Sequence, residues 1–399
     1  MTRRVGLLLI LGFAGILVAS TFHLVDYYPG ADEGFYLRYS SRIAAEGPGV
    51  FPQLFQEYLN SEKTNQYFPS PMRVGTLLIS GAAVRLGGAS YRTLSLLSLA
   101  AFLALLLVIL INSRRCFGER TAFWITLFLA GSPFHMALAR RALSDTLGSL
   151  LINGSLWALW WALSDDSERK GRRWWFVSAL YAVTFLAKGS TFILIPISLF
   201  FLCRQSGWFR RPFPWWPTAA VSVVPLAILP VVLVTAAGGF DVLWRTAQFA
   251  RGAYSSPYAL QYLQGPWFRY VVDFLLISPW TTLMYLIWLG VLLASPTRDE
   301  GAWFWGIIPP LYLAGAAFFP LRDARYLLAL EMPVRMGALF LIQRLVGEQR
   351  QNRWAAVRMG MVLLPLLWID LRTFYLFVIT NLYEPTSFYL LHLRHFLPR

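Results

Sequence analysis

Residues 94–111 read LSLLSLAAFLALLLVILI, with Arg92 just before them and Arg114-Arg115 just after. A run of this length without a charge crosses most of a bilayer's hydrocarbon core as a helix, at about 1.5 Å per residue. It is also apolar on every face, which a helix half in contact with water is not. The pattern recurs along the chain. Apolar runs bounded by charge or by Pro and Gly occupy Val5–Phe22, Leu94–Ile111, Thr121–Ala139, Thr146–Leu163, Trp174–Ala187, Thr191–Cys203, Trp215–Ala237, Val271–Ala294, Trp303–Phe319, Tyr326–Val346 and Ala356–Phe377. They predict an all-α integral membrane protein with about eleven transmembrane helices. The fifth and sixth runs are short and separated only by Lys188-Gly189-Ser190, so they read as a tight hairpin or as one broken element.

Composition agrees. Of the 399 residues, 57% are hydrophobic and 14% charged, and the mean hydropathy is +0.52. Soluble domains carry roughly 45–50% apolar and about 25% charged residues. A disordered chain, a coiled coil, a secreted disulfide scaffold and a cytosolic enzyme are all excluded. The two cysteines, Cys116 and Cys203, lie in or beside basic segments and suggest neither a disulfide framework nor a metal site. The N-terminal run after Arg3-Arg4 lacks a small-x-small cleavage site and reads as a retained first span. Residues 1–380 are expected to form one polytopic domain, and 381–399 a short tail with no soluble domain.

The net charge is +15. In a membrane protein this points to anionic lipid headgroups or phosphorylated lipids, not to nucleic acid. Arg3-Arg4, Arg114-Arg115, Arg120, the basic run 169–173, Arg210-Arg211 and the group Arg350, Arg353 and Arg358 fall on one side if the spans alternate. The positive-inside rule makes that side, and the N-terminus, cytoplasmic. A bacterial inner or plasma membrane is the expected location. Two long loops, about 26–93 and 238–270, then lie outside. Their basic residues (Arg38, Arg42, Lys63, Arg73, Arg92, Arg245, Arg251 and Arg269) either translocate with the loops or bind an anionic group. Within the first loop, Phe35, Tyr36, Tyr39, Ile43 and Ala44 form a helical stripe. Val74–Leu86 is apolar but too short to span. Both are expected to be amphipathic helices on the outer surface, with an extended turn at Pro69-Ser70-Pro71 between them. No nucleotide-binding glycine signature is present.

Four outer stretches carry candidate chemistry. In Gly30-Ala31-Asp32-Glu33-Gly34-Phe35-Tyr36, the paired carboxylates read either as an N-cap or as a base able to deprotonate a hydroxyl. In Arg140-Arg141-Ala142-Leu143-Ser144-Asp145, Ser144 or Asp145 suits an N-cap. The two arginines run against the topology rule in a short link, and an anionic partner rationalises them. Lys188 either snorkels to the headgroups or binds a phosphate. Arg322-Asp323-Ala324-Arg325-Tyr326 adds two more outer cations. Inside the spans, charges are few; Glu331 and Arg335 sit four apart on one helical face and are expected to pair. A divalent ion held by a carboxylate and a histidine is compatible with the composition, but His23, His135, His392 and His395 show no ligand spacing. Asn153-Gly154-Ser155 lies inside a span and is no glycosylation acceptor. Tyr254, Tyr258, Tyr262 and Trp267 belong either to an interfacial belt or to a sugar or prenyl groove.

These elements, in this order, resemble the GT-C superfamily of polytopic glycosyltransferases, in particular its protein mannosyltransferase and aminoarabinose transferase branch. Asp32-Glu33 stands in the place of the catalytic acidic motif. Tyr67-Phe68-Pro69-Ser70-Pro71 resembles the proline-bearing turn but lacks its His-Pro-Pro form. Arg140 to Asp145, Ala187-Lys188 and Arg325-Tyr326 match three further motifs. The resemblance covers about residues 1–340. It implies a sugar on a polyprenyl-phosphate donor, a lipid, glycan or protein acceptor, chemistry on the outer face and inversion in a single displacement. It also implies Asp32 as general base, with Glu33 beside it. Arg140, Arg141, Asp145, Lys188, Arg322, Arg325 and Tyr326 would serve the donor phosphate. The competing readings are a transporter of a lipid-linked substrate, which would place polar groups near the membrane midplane, and a non-catalytic subunit of the same fold.

Overall fold

The computed structural model describes residues 3–381 except 30, 61–68, 165–169, 208–211, 256–259, 261, 262, 264, 267, 295–298, 320 and 348–352. Tyr258, Tyr262, Trp267, Tyr67, Phe68, His392, His395, Lys63, Arg169, Arg210, Arg211, Arg350 and the tail 382–399 lie outside the described residues. Among the described residues every regular element is a helix. The chain begins with α1 (Arg3–Ala19). The first long loop holds α2 (Asp32–Glu46), α3 (Phe51–Leu59) and α4 (Val74–Gly87). Both expected surface helices are present, and α3 was not anticipated. Arg38 and Arg42, two of the outer cations, are engaged locally: Arg38 donates to Glu57 at 3.2 Å, and Arg42 to Glu46 at 2.8 Å and Gln53 at 2.7 Å.

The run that opened the sequence forms the first arm of α5 (Tyr91–Ala130), 40 residues in which two expected spans meet at Gly118. Gly118 has φ +81, a left-handed conformation that Gly adopts without a Cβ penalty. The turn sits among Arg114, Arg115, Glu119 and Arg120, where two membrane spans need a polar loop. The next elements are α6 (Pro133–Ala139), α7 (Asp145–Leu163), α8 (Lys170–Ala187), α9 (Leu194–Gln205), α10 (Trp215–Val221) and α11 (Val223–Ala237). Then follow α12 (Phe240–Arg251), α13 (Arg269–Ile277), α14 (Pro279–Ala294), α15 (Glu300–Ala316), α16 (Glu331–Val346) and α17 (Arg353–Thr380). The expected pair around Lys188 is two helices, joined by a 3-10 turn, Gly189–Ile193.

Several runs expected as continuous spans are broken, and each break has a local cause. Thr121–Ala139 is interrupted at Ser132, whose hydroxyl accepts from His135 N and caps α6, with Pro133 at its first position. Val271–Ala294 breaks at Ser278, the residue before Pro279 (φ −142, ψ 74), where the proline ring disfavours helical backbone. The start of Tyr326–Val346 is a 3-10 segment, Ala324–Leu330, that becomes α16 only at Glu331. Trp215–Ala237 breaks at Ser222, ahead of Pro225.

By length and composition five described segments suffice to cross a membrane: Tyr91–Ala130, Asp145–Leu163, Trp215–Ala237, Ala324–Val346 and Trp354–Thr380. Their packing is that of a membrane protein. Leu8, Ile16, Phe176, Val223, Val231, Leu293, Met361 and Trp368 are exposed, whereas Asn153, Arg335, Glu331 and Asp370 are buried. Apolar side chains outward and paired polar ones inward fit lipid, not water. The sparse intramembrane charge expected from the sequence needs one correction. Asp370 on α17 joins the Glu331–Arg335 pair, and Asp273, inside the expected span Val271–Ala294, is fully buried and 3.8 Å from Arg269. The helices that matter for the site are brought to one end of the bundle: α2 packs on α4, α4 on α8, α7 on α8, and the 3-10 segment before α16 on α7.

Candidate functional site

Five links meet at one end of the bundle. They are the start of α2, the residues before α4, the α6–α7 link, the α8–α9 link and the segment between α15 and α16. Asp32 is the first residue of α2, but the N-cap is Ala31 and no side chain caps the helix. The Asp32 carboxylate instead faces Arg325, which donates to its Oδ2 at 2.7 Å. Arg325 is itself held by Asp323, through Nε to Oδ2 at 2.8 Å and backbone N to Oδ1 at 2.8 Å. The Asp32 side chain keeps 32% of its surface exposed, and among the described residues its Oδ1 takes no hydrogen bond.

Glu33 goes elsewhere. It is 2% exposed and accepts a forked pair from Arg141, Nε to Oε1 at 2.7 Å and Nη2 to Oε2 at 2.9 Å. The backbone N of Ala142 adds a third bond at 3.3 Å. Arg141 Nη1 also donates to the carbonyl and side-chain oxygens of Asn381, at the end of α17. The adjacent acids therefore diverge: Asp32 faces the open cluster and Glu33 anchors α2 to the α6–α7 link. Two contacts hold α2 in place. Tyr36 shares a hydrogen bond of 2.9 Å with Ser144 and accepts another from Arg73. At Gly34 a Cβ would lie 2.0 Å from Pro29 O, so the incoming chain presses directly on the helix backbone. Burial pushes the Tyr36 phenol above its ordinary range, so the hydroxyl stays protonated.

Asp145, expected as an N-cap, has its carboxylate on Lys188 Nζ at 2.7 Å; Ser144 is the N-cap but makes no side-chain capping bond. Both members of the Asp145–Lys188 pair are buried. Lys188 Nζ also lies 5.6 Å from the centre of the Tyr326 ring, and α4 fixes its backbone through Thr76, whose hydroxyl donates to Ala187 O at 2.8 Å. Arg140 turns away from this cluster to Thr21 O at 3.2 Å. Burial, then the charge of Arg141, pushes Arg140 down to about 10, still cationic at neutral pH. Arg322 donates to Ala317 O at 3.4 Å, and its Nε is buried with no hydrogen-bond partner among the described residues. Thus Asp32, Arg325, Tyr326, Lys188 and Asp145 are brought together, whereas Glu33 with Arg141, and Arg140, form the supporting layer.

From the sequence Arg73 stood only among the basic residues of the long loops and Asp323 only inside the Arg322–Tyr326 stretch, neither with a role, and Asn381 was not noted. Arg73 carries no carboxylate partner among the described residues, and Asp32, Asp145 and Tyr326 lie within its electrostatic reach. Its position two residues after the Pro69-Ser70-Pro71 turn was the available signal. Beside the cluster lies a small cleft lined by Ile193, Tyr270, Tyr312, Ala316, Phe319 and Tyr326. No group of three or more His, Cys, Asp or Glu side chains forms a metal cage among the described residues.

A family model described as dolichyl-phosphate-mannose-protein mannosyltransferase matches residues 73–234. Comparison with curated proteins gives no match. Among solved structures, ArnT from Cupriavidus metallidurans bound to undecaprenyl phosphate superposes with a TM-score of 0.59 at 16% identity, over 95% of this chain and 77% of that one. The Archaeoglobus fulgidus oligosaccharyltransferase tethered with an acceptor peptide superposes with a TM-score of 0.56 at 13% identity, over 96% of this chain and 55% of that one. The same archaeal enzyme, AglB, in complex with an inhibitory peptide and a dolichol-phosphate gives 0.52 at 13% identity. This chain therefore spans about half the length of the oligosaccharyltransferase. The likeness to these structures is one of fold, an all-α polytopic architecture of the GT-C type, and the family match takes in Arg140 to Asp145 and Lys188 but neither Asp32-Glu33 nor Arg325-Tyr326.

Proposed function

We propose that this GT-C membrane protein is a glycosyltransferase that moves a monosaccharide from a polyprenyl-phosphate donor to an acceptor on the outer face of the membrane. One observation carries the reading. The free oxygen of Asp32 opens into a cluster where Lys188, Arg73 and Arg325 converge from links far apart in sequence. The named ligands of the structural neighbours, undecaprenyl phosphate and dolichol-phosphate, support a lipid-phosphate carrier.

In the proposed step, an acceptor hydroxyl gives its proton to Asp32 Oδ1 as its oxygen attacks the anomeric carbon. The bond from that carbon to the donor phosphate breaks on the opposite side, so configuration inverts. The electron pair leaves with the polyprenyl phosphate. Its growing negative charge is met by Arg73, Lys188 and Arg322, cations held in place before the reaction. Arg325, fixed by Asp323, orients the base. Glu33, Arg140, Arg141 and Asp145 position these groups. The N-terminus is cytoplasmic in this reading, and the acceptor is a lipid, glycan or protein.

Reconstitution into proteoliposomes with a panel of polyprenyl-phosphate sugars tests it. Transfer is expected with at least one donor, and Asp32→Asn is expected to slow it by about 10²–10⁴-fold, the usual worth of a positioned base. Full transfer by Asp32→Asn would remove the base assignment. Translocation of the lipid-linked sugar without transfer would replace the enzyme with a transporter.

A further inference from the structure

Below the outer cluster lies a second set of charged groups that the proposed reaction does not use. Arg335, 1% exposed, is its centre. Its Nε donates to Glu331 Oε2 at 2.8 Å, and its Nη1 to Asp370 Oδ2 at 2.7 Å and Phe128 O at 3.0 Å. Its Nη2 donates to Ser278 Oγ at 3.0 Å, and Ser278 in turn donates to Asp370 Oδ1 at 3.0 Å. Ser132 donates to Glu331 Oε2 at 2.9 Å. Glu331 and Asp370 are each 2% exposed. Among the described residues neither carboxylate has an ion-pair partner other than Arg335.

The charges do not balance. Two carboxylates around one guanidinium leave a net charge of −1, buried at the level of the bilayer. An uncompensated charge there is far costlier than a neutral hydrogen-bonded acid, and two like charges on one site oppose each other's ionisation. Among the described residues, a further titratable group linked to the cluster through Ser132 is His135, on α6. It meets Ser132 Oγ through Nδ1 at 3.3 Å and Ser149 Oγ through Nε2 at 3.0 Å. Ser132 gives its hydroxyl proton to Glu331, so Nδ1 must be the donor toward Ser132. Ser149 accepts from Asn153 and is free to donate to Nε2. These bonds suit a neutral imidazole.

We propose that the Glu331–Arg335–Asp370 cluster is a proton-binding site that holds one proton at neutral pH, shared by the carboxyl pair. The proton makes the cluster neutral, and it acts as a brace. Glu331 opens α16 directly after the Arg322–Tyr326 segment, Ser132 caps the helix that leads into Arg140-Arg141, and Asp370 secures α17, whose end meets Arg141. The site stands whether or not the chain transfers sugar.

Infrared spectroscopy of the full chain in lipid nanodiscs reads it directly. At neutral pH the wild type should show a protonated carboxylic C=O band that shifts in D2O. Asp370→Asn and Glu331→Gln should each lose it, because the remaining carboxylate then balances Arg335. If one variant does not fold, the other and the pH titration of the wild-type band carry the test. Raising the pH should bleach that band and lower the melting temperature, while the foldable variant stays flat over the same interval. A wild type without the band puts the proton on His135 or nowhere and overturns the proposal. So does a band that survives both substitutions. A melting temperature that follows sodium concentration instead of pH overturns it in favour of a bound metal cation.

Discussion

At the residue scale, the adjacent acids Asp32 and Glu33 show how one turn of helix assigns two fates. Successive residues on a helix point about 100° apart, so Asp32 reaches the open cluster while Glu33 enters the protein and meets Arg141. The Glu33–Arg141 fork is buried on both sides. Removing either partner leaves a bare charge, so Glu33→Gln or Arg141→Gln alone is expected to cost about 3–5 kcal/mol of stability. The double substitution should cost well below the sum of the two, a coupling that unfolding of the four proteins of the cycle measures. Tyr36 offers a milder probe. Its phenol stays protonated because burial pushes it up, and it links Ser144 to Arg73. Tyr36→Phe should lower stability by about 1 kcal/mol and weaken donor binding, raising KM more than it lowers kcat. The reading of both acids as an N-cap was physically sound from the sequence, since Asp and Glu favour the first turn of a helix. Partners 108 and 293 residues away outbid the helix end.

At the element scale, the chain's helices were legible as apolar runs, and three of their breaks came at the Ser132-Pro133 and Ser278-Pro279 pairs and at Gly118. Two glycines separate conformation from contact. Gly118 has φ +81 with open space around it, whereas the backbone at Gly34 meets Pro29 O. Gly118→Ala is expected to cost about 1–2 kcal/mol, the penalty of a left-handed backbone, and to leave transfer unchanged, because the turn is at the opposite end from the site. Gly34→Ala should lose most of the transfer activity, because α2 must move and carries Asp32 with it. Parallel assays of melting temperature and transfer distinguish the two; equal activity losses would show that α2 position does not control the site. The surface helices α3 and α12 escaped notice because their stripes lie inside long loops without a charge pattern to mark them. They pack through an edge-on Tyr58–Phe249 contact, with ring centres 5.2 Å apart.

At the scale of the whole molecule, the +15 charge separates into three populations. Basic groups cluster at the turn around Gly118, others lie at the outer links, and Arg335 sits between two carboxylates. The positive-inside rule predicts opposite sides for the first two. With Cys116 and Cys203 replaced, a cysteine at Arg38 should react with a membrane-impermeant maleimide from outside intact cells, and one at Arg344 only after the membrane is opened. Labelling in the reverse order would invert the topology and put the site in the cytoplasm. The sequence by itself determined the membrane class, most helix positions and the links that carry the charged motifs. Those are properties of short stretches: how long a run is apolar, and where charge or proline interrupts it. Only the tertiary structure decided which cation meets which acid. It left Asp32 an open oxygen, committed Glu33 to Arg141, joined Lys188 to Asp145, drew in Arg73 and made Asp370 the third member of a buried cluster. An ion pair forms over less than 4 Å between side chains from separate helices, so its partners follow from how the helices pack and not from their order along the chain.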